Sequence, residues 1–345
     1  PTGTVEFFDG ATSLGIDSVA NSTGTGTSTW SLTTASLTAG THASIHAVYT
    51  ATGSFASSAS ANSTQTVTQK ALTGSFTVAD KPYDGSTAAT VLTRTLAGVL
   101  AGDLATVSLT GGTATFNTAT AGAGKTVTLT GATLTGTAAG NYTLASVGTT
   151  TATIATLGIT GSFTAADKPY DGSTVATVLT RTLAGVLAGD LATVSLTGGT
   201  AAFDTATVGI GKTVTLVGAT LTGTAAGNYR LAPVGTTTAT IGKATATVTV
   251  SGYNGVFDGA AHGATGTATG VGGVNLSASL TLGATFINIP GGTANWTFSG
   301  GTNYADQSGS VAIVISSIPL TATTTSVSSS GTPSTYGTAV TFTAT

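Results

Sequence analysis

The sequence predicts an all-β protein built of tandem β-sandwich modules in an elongated string. Three observations favour this fold class: long internal repeats, strict alternation of apolar and hydroxyl-bearing residues, and turn residues at short, regular intervals. A chain of 345 residues is long enough for several modules of ordinary size, each with its own core.

A duplication is the clearest feature of the sequence. The run TGSFTVADKPYDGST at 73–87 returns 87 residues later, at 160–174, as TGSFTAADKPYDGST. Over 73–154 and 160–241 the two copies differ at nine positions: Val78/Ala165, Ala88/Val175, Thr115/Ala202, Asn117/Asp204, Ala121/Val208, Ala123/Ile210, Thr130/Val217, Thr143/Arg230 and Ser146/Pro233. A repeat of this length suits a self-contained sandwich better than a small stacked repeat.

Alternation within each copy predicts half-buried strands. In 125–130, Val127 and Leu129 are apolar while Thr126 and Thr128 between them are polar, which places the two sets on opposite faces. The same period of two occurs at 105–109, 245–250 and 309–315. Gly-Gly, Asp-Gly and Gly-Asn pairs between such runs are typical turn residues of a sandwich.

The repeats and their turn residues divide the chain into five segments. They are a head segment (1–69), interpreted as a sandwich lacking its first strands, a first repeat (70–154), a second repeat (155–241), a third module (242–318) and a tail segment (319–345). We expect short linkers at 155–159 and 241–243. The tail segment is interpreted as the first strands of a further sandwich.

Two motifs recur in the repeats and the third module, an aromatic-Asp-Gly turn and an Asn-Tyr pair. The candidate structural residues are Tyr83, Asp84, Gly85, Asn141, Tyr142, Tyr170, Asp171, Gly172, Asn228, Tyr229, Phe257, Asp258, Gly259, Asn303 and Tyr304. A tyrosine just before the penultimate strand is typical of the tyrosine corner of immunoglobulin-like sandwiches. In that motif the ring packs inward and the hydroxyl bonds to upstream backbone, so we predict a structural role.

The tail and head segments complement each other. Residues 333–343 resemble the opening strands of a sandwich, while 1–10 and 37–49 resemble the strands that follow them. We therefore expect the chain, which lacks methionine, to be about one period of a larger array. Its expected partners are copies of itself, joined covalently in tandem or by strand donation into a fibre.

Several bacterial repeat families resemble these residues. Residues 70–241 resemble two YDG-type repeats through KPYDGST, LAGDLATVSLTGGTATF and GKTVTLTGATLTGTAAGNYTL. Residues 242–316 resemble the MBG-type module through ATVTVSGYNGVFDGAAHG and SVAIVI. The terminal segments together are similar to bacterial Ig-like repeats through PSTYG, PTGTVEFFDG and LTAGTHAS. The resemblance implies tandem immunoglobulin-like modules in giant adhesin-like proteins, on the bacterial surface or secreted, with no catalytic residues.

Composition argues against other classes of function. Charged residues make up 6% of the chain, against roughly a quarter in typical proteins, and nine scattered Lys and Arg form no nucleic-acid footprint. Without cysteine the chain has no disulfide, reactive thiolate or zinc–sulfur site. No apolar run approaches the roughly 20 residues of a membrane helix. No nucleophile elbow or paired carboxylates are apparent, so we expect no enzymatic activity and no resident cofactor.

Two alternatives remain open. Six aspartates in the repeats could hold Ca²⁺ between modules, although turn formation is the preferred interpretation. They are Asp80, Asp84, Asp103, Asp167, Asp171 and Asp190. As an adhesin the chain would hold glycans or other cells, and Trp30, Tyr49 and Trp296 are the aromatic residues to test first, although we interpret both tryptophans as core.

Overall fold

A computed structural model of the chain describes residues 2–17, 21–22 and 27–345, so Pro1 and parts of the head segment lie outside it. The regular structure of the described residues consists of β-strands and short 3-10 helices, without an α-helix. None of these helices is long and apolar enough to span a bilayer. The predicted all-β class is confirmed. Two compact units are present, one of residues 1–161, 183–197 and 220–233, the other of 162–182, 198–219 and 234–345.

The head segment forms one main sheet. Its strands are β1 (Thr2–Asp9), β2 (Thr12–Asp17), β3 (Asn21–Ser22), β4 (Ser28–Thr29), β5 (Gly40–Thr52), β6 (Ser58–Ala59) and β7 (Ser63–Val67). The sheet order is β2–β1–β5–β6, with β7 also on β5, while β3 and β4 form a separate ladder. Among the described head residues, Val5 is the only fully buried apolar side chain. The sheet therefore has little core of its own.

The first repeat is a two-sheet sandwich. Its strands are β8 (Lys70–Val78), β9 (Lys81–Pro82), β10 (Ala88–Ala89), β11 (Val91–Ala97), β12 (Ser108–Phe116), β13 (Gly122–Thr135), β14 (Tyr142–Val147) and β15 (Thr150–Ala155). One sheet has the order β10–β12–β13–β15–β9 and the other β11–β8–β14. Alternation turns Phe76 of β8 and Val127 of β13 inward, where they pack with Phe116 and Ile154. The strand expected at 105–109 begins only at Ser108, because the preceding residues form a 3-10 helix (Ala101–Asp103) and a turn.

The second repeat has the same strand order. Its strands are β16 (Leu157–Ala165), β17 (Lys168–Pro169), β18 (Val175–Ala176), β19 (Val178–Ala184), β20 (Ser195–Phe203), β21 (Gly209–Thr222), β22 (Tyr229–Leu231) and β23 (Thr237–Gly242). The sheets are β17–β23–β21–β20–β18 and β19–β16–β22. Strand β22 has three residues where β14 has six. Pro233 stands where the first repeat has Ser146, and proline has no N–H to continue a ladder.

The third module and the tail segment complete the chain. Their strands are β24 (Thr247–Ser251), β25 (Tyr253–Val256), β26 (Thr265–Thr269), β27 (Leu280–Thr281), β28 (Gly291–Phe298), β29 (Gln307–Ser316), β30 (Val327–Ser329) and β31 (Phe342–Ala344). The third module pairs β24 with β26 and orders its other sheet β25–β29–β28–β27. Among the described residues the tail strands β30 and β31 pair with each other alone, and every residue of 319–345 except Val340 is exposed.

The first and second repeats follow each other almost directly, so the expected linker at 155–159 is wrong. Ala155 ends β15 and Leu157 begins β16, which leaves only Thr156 between them. Residues 241 and 242 likewise belong to β23. Strands that succeed each other so directly leave little backbone to bend.

Candidate functional site

The Tyr-Asp-Gly turn of the first repeat is fastened by its aspartate. The Asp84 carboxylate accepts hydrogen bonds from the Ser86 N–H at 2.9 Å, the Ser86 hydroxyl at 3.0 Å and the Lys81 ammonium at 2.8 Å. Gly85 has a φ of 76°, a left-handed conformation that glycine adopts without strain. Lys81 in turn lies 5.6 Å from the centre of the Phe116 ring. The turn is thus anchored to the module's own core.

The second repeat builds the same turn from Lys168, Asp171 and Ser173. The Lys168 ammonium, 2.8 Å away, and then the Ser173 N–H lower the pKa of Asp171 to about 2. The Lys81 ammonium likewise lowers the pKa of Asp84 in the first repeat. In both copies the charged carboxylate is the form that the turn stabilises.

This turn should resist acid. An unfolded aspartate titrates near pH 4, so the contribution of Asp171 to stability is fully present above pH 4 and is lost as the pH falls towards about 2. A carboxyl ¹³C NMR titration should give a midpoint near pH 2 for Asp171. Lys168→Met should move that midpoint back towards 4, with Asp84 as the unchanged internal control. A wild-type midpoint near 4 would contradict the assigned ion pair.

The tyrosine of the Asn-Tyr pair is tied to its own module. In the first repeat the Tyr142 ring is buried, and its hydroxyl accepts the Leu100 N–H at 3.2 Å and donates to Asp103 at 2.6 Å. Equivalent bonds join Tyr229 to Leu187 and Asp190, and Tyr304 to Val271. The hydroxyl therefore holds an upstream loop by its backbone, as a tyrosine corner does.

The two motifs meet at the junction of the first and second repeats. The Tyr83 ring lies edge-on to the Tyr229 ring, with centroids 5.5 Å apart at 80°. Asp190 accepts hydrogen bonds from both hydroxyls, at 2.8 Å from Tyr83 and 2.7 Å from Tyr229. Burial and Asp190 together raise the pKa of Tyr83 to about 12. One carboxylate thus binds a tyrosine of each module.

The asparagine of the pair bonds to the backbone of the preceding module. Its side-chain oxygen accepts one N–H at each of three junctions. The bonds run from Ala39 to Asn141 at 2.9 Å, from Ala121 to Asn228 at 2.9 Å and from Val208 to Asn303 at 3.2 Å. The sequence analysis assigned the Asn-Tyr pair a role inside its own module and missed this contact. The available signal was that both motifs recur with the same spacing along the chain.

Apolar packing accompanies these polar contacts. Tyr83 shares a cluster with Ile159, Val194 and Tyr229 of the second repeat. Tyr170 packs beside Tyr304 of the third module, with ring centroids 5.5 Å apart at 78°. Within the described residues the Tyr170 hydroxyl has no hydrogen-bond partner, so this second tyrosine contact depends on ring packing alone.

The two tyrosine contacts offer a matched pair of substitutions. Tyr83→Phe removes a hydroxyl bonded to Asp190, and the junction should lose about 1–2 kcal/mol of stability. Tyr170→Phe removes a hydroxyl without a partner and should change little. Amide hydrogen exchange of β15 and β16 measures the effect of Tyr83→Phe, where the rates should rise. Exchange of β23 measures the effect of Tyr170→Phe, where the rates should change little. Equal effects of the two substitutions would refute the special role of Asp190.

The aspartates do not gather into a calcium site. Asp80 accepts the Thr153 N–H and Asp167 the Thr240 N–H, each at 2.6 Å, while the other four serve the turns and tyrosines described above. No group of three His, Cys, Asp or Glu side chains is arranged to hold a metal ion in the part of the chain that the structure describes. Turn and backbone bonding account for these residues.

The third module carries Phe257 at the position of the two motif tyrosines. The Phe257 N–H donates to the Ser316 carbonyl at 2.9 Å, as Tyr83 does to Ala155 and Tyr170 to Gly242, both at 2.8 Å. Asp258 accepts the Ala260 N–H at 2.8 Å and pairs with His262 at 2.9 Å. The turn following Gly259 is therefore built differently, although the aromatic residue keeps its place.

Two cavities lie on the apolar face of the main head sheet. A cavity of about 620 Å³ is lined by Phe7 and Ile45 of the sheet and by Leu32 and Leu37 of the segment before β5, and another of about 400 Å³ is lined by Phe7, Trp30 and Tyr49. The Trp30 and Tyr49 rings are 5.4 Å apart, and the buried Trp30 Nε1 has no partner among the described residues. Trp296, by contrast, packs against the core of the third module.

Models of two protein families match this chain. The YDG domain model matches residues 68–153 and 153–240, and the bacterial Ig-like domain (group 3) matches residues 1–68. Neither family is enzymatic. Comparisons with curated proteins and with solved structures found no match. Because the YDG matches span half of the chain and include both tyrosine turns, the chain belongs to the YDG domain family, as a repeat protein that joins two YDG domains to a bacterial Ig-like domain.

Proposed function

We propose that this chain is the structural repeat unit of an extracellular fibre or stalk on a bacterial surface. Copies join head to tail, and the tail segment of one copy supplies the strands that complete the head sandwich of the next. The observation that carries this proposal is the pair of cavities on the apolar face of the head sheet, which are lined by Val5, Phe7, Ile45 and Tyr49. An apolar sheet face normally packs on a second sheet.

The tail segment supports a second copy as the occupant. Val327 and Phe342 are 68% and 71% exposed, and Tyr336 is fully exposed. A lone two-stranded hairpin is marginal in water, and its apolar side chains gain by burial on another sheet. The tail segment has two strands with exposed apolar residues, and it has no charged residue between 319 and 345. It is therefore suited to cover the apolar face of the head sheet.

The junctions support a spacer role. At three junctions an asparagine binds the backbone of the neighbouring module, and at two of them tyrosine rings pack together. Only Thr156 separates the last strand of the first repeat from the first strand of the second. These contacts favour modules that transmit force over modules that swing freely.

Hydrogen exchange and sedimentation test the proposal together. In dilute solution we expect 327–344 to exchange rapidly and the chain to sediment as a monomer. As concentration rises, β1, β5 and the tail hairpin should gain protection while larger species form, and electron microscopy should show filaments. Protection of the tail hairpin in the monomer, or compact particles without a repeat, would refute head-to-tail assembly.

An adhesin remains the second candidate. The observation that favours it is the pair of rings, Trp30 and Tyr49, in one cavity, with an indole N–H that has no partner among the described residues, since such rings combine apolar and polar contact. A glycan array probed with the monomeric chain tests this function, with Trp30→Ala as the variant. Binding that depends on Trp30 would favour the adhesin, and binding lost on assembly would place both partners on one face.

A further inference from the structure

We propose that the end of the third module around Phe257 docks the head segment of the next copy, through apolar contact in place of the tyrosine–aspartate contact. This inference rests on the proposed function. Phe257 makes the same backbone bond as Tyr83 and Tyr170, whose side chains both pack on the following module. Phe257 therefore faces the direction from which a following module comes.

Exposed aliphatic side chains surround this position. Val256 is 50% exposed, Ile287 and Ile289 are each 48% exposed, and Ile318 is 61% exposed. Backbone pairing brings them together, because Val256 lies opposite Ser316, and Ile315 donates its N–H to Pro290, the neighbour of Ile289. Ile287 follows Phe286, which pairs with His262 near the Phe257 turn. Exposed aliphatic side chains at such neighbouring backbone positions are typical of an interaction surface.

The apolar side chains around Phe257 indicate what kind of surface can bind there. Phe257 has no hydroxyl, so an acidic acceptor such as Asp190 would gain nothing from it, and the matching surface must be apolar. Ile318 leads directly into the tail segment, whose strands complete the next copy's head sandwich in the proposed assembly. The head segment of that copy is therefore brought to this patch.

The register of the head sheet identifies which end is presented. Ala39, beside the start of β5, contacts Asn141 of the first repeat, so that end is already occupied. Thr2 lies opposite Thr52 at the other end, where the turn 53–57 follows β5. Phe55 in this turn is 57% exposed. We assign Phe55 of the next copy as the counterpart of the Phe257 patch.

A two-copy chain, with Pro1 of the second copy following Thr345 of the first, tests the inference by hydrogen exchange. Residues 316–326 of the first copy and 53–57 of the second should exchange about tenfold more slowly than in the single chain. Ile287→Ser with Ile289→Ser in the first copy, or Phe55→Ser in the second, should abolish that protection. These side chains are about half exposed or more in the single chain, so its fold should survive.

Val217→Thr is the matched control, because Val217 is 72% exposed and the first repeat has Thr130 there. It should leave all exchange rates unchanged. If β1 and β5 of the second copy gain no protection in the two-copy chain, strand completion and the docking surface both fail. If they gain it but the isoleucine and Phe55 variants exchange like wild type, only the docking surface is refuted.

Discussion

Asp190→Ala should lower the free energy of opening the junction between the first and second repeats by about 2–5 kcal/mol. This is the largest effect that we expect from one polar substitution. Asp190 accepts hydrogen bonds from the hydroxyls of Tyr83 and Tyr229, whose rings are 7% and 6% exposed. Removing the carboxylate leaves two hydroxyls in a buried setting without their acceptor. An unpaired buried donor costs more than the bond itself contributes.

The first repeat supplies the control for this substitution. Asp103 occupies the equivalent position, but within the described residues its carboxylate accepts from the Tyr142 hydroxyl alone, so Asp103→Ala should cost clearly less. Asp190→Asn keeps an oxygen acceptor and should recover part of the loss. Because a chain of several modules need not unfold in one step, exchange of individual amides in β15 and β16 is the suitable measurement. Equal losses from Asp103→Ala and Asp190→Ala would contradict the shared-carboxylate junction.

Phe342→Ser should weaken head-to-tail association by at least about a hundredfold, as truncation of a central aromatic anchor commonly does. Phe342 lies in β31 and is 71% exposed, so it contributes little to the fold of the single chain. In the proposed assembly its ring covers the apolar face of the head sheet at Phe7. Sedimentation at increasing concentration measures the association.

The interpretation of that experiment depends on an unchanged monomer. Thermal unfolding and hydrogen exchange of dilute Phe342→Ser should match wild type, and Val217→Thr should associate as wild type does. Association of Phe342→Ser at the wild-type concentration would exclude the tail hairpin as the assembling element. It would leave the module junctions, which lie within one chain, unaffected.

Local pattern predicted much of the fold. Alternation at 125–130 identified β13, because a strand with one face on a core shows its environment in every second residue. It misplaced the strand at 105–109, where Val107 and Leu109 are buried although β12 begins only at Ser108. A loop residue tucked against the core gives the same pattern as a strand.

For the motif tyrosines and aspartates, the sequence predicted some contacts and not others. The corner-like bond from Leu100 to Tyr142 could be anticipated, because this kind of sandwich places a tyrosine there for that purpose. Asp84 and Asp190 each stand next to a glycine, and neither sequence context indicates which groups the carboxylate binds. Only the structure distinguishes a turn-fastening carboxylate from one that joins two modules.

By itself the sequence determined the all-β class, the duplication, the strand faces and the recurrence of the two motifs, since these depend on periodicity and near-identity along the chain. Tertiary structure decided what the motifs contact. Tyr83 and Asp190 are 107 residues apart, as are Ala121 and Asn228, and a contact between the end of one module and the beginning of the next follows from neither one's local pattern. Such contacts exist only once both sandwiches have formed and their ends present complementary surfaces.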